Sequence, residues 1–173
     1  MVVVLQPTGC QEYLPLVGAI LKERELAAEN VPPEVEELIA SDNYARHLGA
    51  RVVEIRPGYA RVSMELGPQH LNFMGMVHGG VIFGLADVAF GAAANSFGLK
   101  AMALSVGIDY LAAPRVRGTL TAEVEQLTRA GKMGYYRMQV TDASGGVVAQ
   151  CRGWAYHTGR PLAAQDGEEG PGA

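Results

Sequence analysis

Charge is scarce in this 173-residue chain. Between Glu65 and Lys100 a single residue, Asp87, carries a full one. Fourteen Lys and Arg stand against eighteen Asp and Glu, for a formal net charge of −4. That balance excludes nucleic acid as a partner held by bulk electrostatics. The two cysteines, Cys10 and Cys151, do not suggest a disulfide framework and fit a reducing cytoplasm. The four histidines, His47, His70, His78 and His157, lack metal-ligand spacing. No phosphate-binding loop, nucleophile elbow or dinucleotide fingerprint is present, so no organic cofactor is indicated. No apolar run reaches the ~18 residues of a membrane span. Residues 2–5 are too short for a signal-peptide core and lack a basic segment before them.

What is present centres on residues 72–96. The stretch from Val81 to Ser96 is apolar or small on every side except at Asp87, the pattern of a helix buried in a core. A carboxylate in such a helix is rarely left without a partner or a task. Asp87 is therefore either a general base or nucleophile, or a structural carboxylate satisfied by backbone or a hydroxyl. Just before the helix stand His78, Gly79 and Gly80. The first N–H groups of a helix have no intrahelical acceptor and sit at the positive end of its dipole. Without side chains at 79 and 80, a developing oxyanion can approach them closely. A plain Gly-Gly turn is the alternative. Asp87 lies eight residues beyond Gly79, ~12 Å along the axis at 1.5 Å per residue. One copy of the helix cannot easily present both to one carbonyl, whereas two antiparallel copies can. The spacing therefore predicts a C2 dimer with shared sites.

The rest reads as strands and short helices. Residues 11–28 and 34–40 have helical periodicity, separated by Val31-Pro32-Pro33, with Val35, Leu38 and Ile39 expected inward. Residues 50–56 and 59–66 flank a Pro57-Gly58 turn, and the second run alternates with period two. Strands are expected over 101–111, 119–128, 133–141 and 147–157. The order gives an α+β class, with an N-terminal arm and helices over 1–41, one main domain over 42–158 and a flexible tail over 159–173.

The run N-x-x-G-x-x-H-G-G at 72–80, followed by L-A-D-x-A-F-x-x-A-x-N-S at 85–96, resembles the PaaI-like hotdog-fold acyl-CoA thioesterases. The resemblance covers 42–157. It implies an antiparallel sheet wrapping a long central helix, subunits joined edge to edge, dimers paired into tetramers, and an acyl-CoA substrate such as phenylacetyl-CoA, with coenzyme A present only as part of that substrate. It also implies a short helical lead into the first strand that shapes the acyl end of the pocket. Residue by residue, it makes Gly79 the oxyanion amide, with Gly80 in the same turn. Asp87 becomes the base or nucleophile. Asn72 becomes a thioester or water contact, or else a loop cap. His78 orients the loop or meets substrate, or is structural. Ser105 holds the attacking water, or is an ordinary strand serine. Arg115, Arg117, Arg129 and Lys132 lie on turns and are candidates for the coenzyme A phosphates, with solvated surface charge as the alternative. An enoyl-thioester hydratase or dehydratase on the same fold, or a non-catalytic acyl-CoA-binding module, are the competing functions. The absence of a histidine within the central helix counts against the hydratase.

Overall fold

The structure, a computed structural model, describes residues 30–162. The helix expected over 11–28 lies outside them. The first described element is helix α1 (Pro33–Ala40), which opens on a proline and places Glu34 and Glu36 in its first turn, where the helix dipole favours acids. Helix α2 (Asn43–Leu48) follows. The Asp42 carboxylate caps it by accepting from the Tyr44 and Ala45 amides at 2.7 and 3.2 Å. It ends at Gly49, whose φ of 69° is the left-handed conformation that terminates helices.

Strands β1 (Ala50–Arg56) and β2 (Tyr59–Leu66) form the expected hairpin about Pro57-Gly58. After a 3-10 turn at Pro68–His70 comes the long helix α3 (Gly79–Asn95). The chain then supplies β3 (Leu99–Tyr110), β4 (Gly118–Ala130), β5 (Met133–Asp142) and β6 (Val147–Pro161). One antiparallel sheet results, in the order β1-β2-β4-β5-β6-β3. Both β1 and β3 are edges. The last strand runs past the expected tail boundary at 158, and the Leu162 amide still donates to Gly98.

The sheet wraps α3, and the core is the contact between them. Ala60, Val62 and Met64 of β2, Leu120, Ala122 and Val124 of β4, and Tyr136, Met138 and Val140 of β5 meet Ile82, Leu85, Ala89 and Phe90 of the helix. Phe90 and Tyr136 pack edge to face with centroids 5.1 Å apart. Each large side chain buried here contributes ~1.5–3 kcal/mol. Cys151 is buried in this core as a free thiol, with burial pushing its pKa up to about 11. Small residues on α3 let strands approach closely. At Gly84 an added Cβ would fall 2.6 Å from the Tyr44 hydroxyl, so the missing side chain gives α2 room to close on the helix there.

Two expectations differ from what is seen. Leu38 is 44% exposed rather than inward, while Val35 is buried and Ile39 packs against the core. And α3 is not covered all round. Gly80, Asp87 and Gly91 lie exposed on a face the sheet does not reach.

Candidate active site

The start of α3 is built by the loop before it. His70 is buried, its Nδ1 accepting from the Gly67 amide at 2.9 Å, and its carbonyl accepts from the His78 amide at 2.9 Å. Within that closure Asn72 Oδ1 accepts from the Met74 and Met76 amides at 2.9 and 3.1 Å. Asn72 thus holds the loop in shape. Phe73 stands 98% exposed at its tip.

His78 is the helix cap. Its Nδ1 accepts from the Gly80 amide at 2.8 Å, which requires the neutral imidazole with its proton on Nε2. Its carbonyl accepts from the Val81 amide at 2.9 Å. The two glycines therefore differ. Gly80 has its N–H engaged by the cap, whereas the Gly79 N–H has no acceptor among the described residues. The Tyr110 hydroxyl donates to the Gly79 carbonyl at 3.0 Å and fixes that peptide from the strand side. Tyr110 was not anticipated from the sequence. Its position on β3 in alternation with Val106 and Ile108, which pack on the core, is the signal that could have found it.

Asp87 opens on a cleft of about 690 Å³ between α3, α1, α2 and β1, lined also by Asp42, Tyr44, Val88, Gly91 and Asn95. Its pKa is raised, first by desolvation and then by the Asp42 carboxylate. A carboxylate so tuned holds a proton more readily than a surface acid, which suits general-base work. The short helical lead contributes Tyr44 and Ala45 to the cleft wall.

Ser105 is not brought to Asp87. A bulge between Ala103 and Ser105 shifts the register of β3 against β6, so Ser105 pairs with Trp154. Trp154 packs on Tyr135 on the face of the sheet turned away from α3. A residue inserted into one strand flips side chains beyond it, and a strand reading without the bulge cannot see this.

The four candidate phosphate ligands separate into two pairs. Arg115 and Arg117 line a pocket of about 170 Å³ with Asp142 and Ser144, at one end of β4. At the other end the Arg129 guanidinium lies 5.6 Å from the Phe97 ring centre and donates to Gly131 O, while Lys132 Nζ lies 5.7 Å from the Tyr156 ring centre. Arg117 and Arg129 are twelve residue steps apart along the strand, ~40 Å at 3.3 Å per residue. Within one chain a single nucleotide cannot bridge them. Asn95 is structural, as its position suggests. Its side chain donates to Gly91 O and Ala101 O and accepts from the Ala101 amide.

A long helix wrapped by a six-stranded antiparallel sheet, with an open amide at its start and an acid along its free face, defines the hotdog class. The thioesterase superfamily model matches residues 74–149. The acyl-coenzyme A thioesterase PaaI of Escherichia coli is 33% identical over 125 residues, 72% of this chain and 89% of its own. A relative in Archaeoglobus fulgidus carrying an esterase name is 37% identical over 116 residues, 67% of this chain and 75% of its own. The solved E. coli PaaI structure superposes with a TM-score of 0.70 at 32% identity, covering 74% of this chain and 93% of that one. A hypothetical thioesterase from Streptococcus pneumoniae, solved with coenzyme A, gives a TM-score of 0.62 at 26% identity, covering 65% and 88%. The chain belongs to the thioesterase superfamily, in its PaaI-like hotdog branch.

Proposed function

We propose that this protein hydrolyses acyl-coenzyme A thioesters, phenylacetyl-CoA or a similar aryl or medium-chain acyl-CoA, in the cytoplasm, as a dimer with two shared sites. The single observation that carries the reading is the pairing of one open helix-start amide, Gly79, with one acid on the free face of the same helix, Asp87. In the proposed dimer the β3 edges join. Met102, Leu104, Tyr110 and Leu111 are exposed large apolar or aromatic residues along and just past that edge, which supports its being covered. The two α3 helices then run antiparallel, and Gly79 of one protomer faces Asp87 of its partner. Pairing of such dimers into tetramers is part of the same proposal.

The Gly79 N–H donates to the thioester oxygen as negative charge develops there. Asp87 takes a proton from water as the water oxygen bonds the carbonyl carbon; in the covalent alternative Asp87 bonds that carbon itself, and after the thiolate leaves, water cleaves the resulting mixed anhydride to the free acid and restores Asp87. The carbon–sulfur bond breaks and the thiolate leaves as coenzyme A. His78 and Asn72 hold the turn that presents Gly79. One basic pair, Arg115 with Arg117 or Arg129 with Lys132, takes the nucleotide phosphates. Ser105, facing the other side of the sheet, has no part in this step.

The test is thiol release from several acyl-CoAs by wild type and Asp87→Asn. Loss of the base lowers kcat by about 10²–10⁴, with the oligomer unchanged by light scattering. Wild-type turnover in the variant refutes the assignment.

A further inference from the structure

Gly91 has no reason to be glycine that the described chain supplies. It lies inside α3, where glycine is the least favourable residue short of proline. Its φ is not positive. An added Cβ would meet nothing within 4 Å, in contrast to Gly84, where the Tyr44 hydroxyl fills the space. A bare backbone kept open at such a position makes room for something outside the described residues.

Its surroundings say what. Gly91 lies four residues after Asp87 and four before Asn95, so the three fall on one line along the helix. All three line the 690 Å³ cleft. From Asp87 to Asn95 the line is ~12 Å long at 1.5 Å per residue. Asn95, fixed by its bonds to Gly91 O and both backbone groups of Ala101, closes the far end. Ile39 of α1 with Val88 and Ala92 of α3 gives the walls an apolar character. The volume falls in the range of small-molecule sites.

We infer that Gly91 is the floor of the acyl chamber. The acyl part of the thioester runs from the carbonyl at Asp87 towards Asn95, lying against the bare helix backbone at 91, and the missing side chain admits a flat ring. Gly91 is thus a specificity-determining position, and α1 is the chamber's outer wall. This rests on the acyl-CoA reading above and names which part of the cleft selects the acyl group.

Gly91→Ala and Gly91→Val test it, with kcat and KM measured for phenylacetyl-CoA and acetyl-CoA, together with melting temperature and molar mass in solution. The expected result has three parts. Gly91→Ala melts above wild type, because alanine favours the helix. The ratio of kcat/KM for phenylacetyl-CoA to that for acetyl-CoA falls about tenfold in Gly91→Val, with an intermediate fall in Gly91→Ala. The fall is carried by KM more than by kcat. A ratio within about twofold of wild type in both variants overturns the inference. So does dissociation of the oligomer by Gly91→Ala, which would make the glycine a contact between copies. Wild-type protein inert towards these two thioesters and towards medium-chain acyl-CoAs would instead remove the hydrolase reading itself.

Discussion

His157 makes the fold sensitive to mild acid. Its ring is fully buried between Phe97 and Tyr136. Gln126 Nε2 donates to the Tyr136 hydroxyl at 3.1 Å, and that hydroxyl lies 3.2 Å from His157 Nε2. Nδ1 of the same ring has no hydrogen-bond partner among the described residues. Burial, and then the Arg129 charge, lower the His157 pKa from 6.5 to about 4. The folded pKa lies below the unfolded one, so the unfolded chain takes the proton first. The contribution to stability is complete above pH 6.5 and is lost as pH falls towards 4. The gap between those values, at ~1.36 kcal/mol per pH unit, gives roughly 3 kcal/mol. Asp87 acts in the opposite sense, because its raised pKa favours the folded state at low pH. The effect of His157 is therefore read as a difference between wild type and His157→Phe, which keeps an aromatic ring in the site. Urea unfolding at pH 7.5, 6.0 and 4.5 measures it. Wild type should lose stability over that range by about 2–3 kcal/mol more than the variant. Parallel curves for the two proteins would refute the reasoning.

Other outcomes follow from the site. Asp42→Asn keeps the α2 cap, since asparagine caps as well as aspartate, but removes the negative charge that helps raise Asp87. The acid limb of the kcat–pH profile should move to lower pH; an unchanged limb, or one moved upward, excludes Asp42 as its neighbour. His78→Ala removes the acceptor for the Gly80 amide and should cost about 0.5–2 kcal/mol in chemical denaturation. It should also lower kcat by more than it changes KM. An unchanged kcat would mean that the cap does not present Gly79.

How much of this was legible in the sequence depended on whether the signal was local. Asp87 stood out because no other charge lies near it in the chain. The helix start at Gly79 followed from two glycines behind a histidine, and β2 followed from strict alternation. The features that could not be read depend on distant segments. The bulge that turns Ser105 outward exists only in the pairing of β3 with β6. The fit of Tyr44 over Gly84 joins residues forty apart. The four basic residues looked like one group because turns look alike in sequence, but β4 holds the two pairs at its opposite ends. Leu38 has the right period for a buried residue, yet α1 borders an open cleft, so one of its apolar side chains remains exposed.

The order of strands in the sheet also governs how the molecule is made. Among the described residues, β3 pairs with no strand but β6, the last of the six in chain order. Everything else can assemble around α3 while β3 waits, a ribbon with two unpaired sides. A nascent chain stalled before Val147 would carry that sticky ribbon exposed, the kind of intermediate that aggregates or requires a chaperone. Closure of the sheet therefore waits on the synthesis of β6.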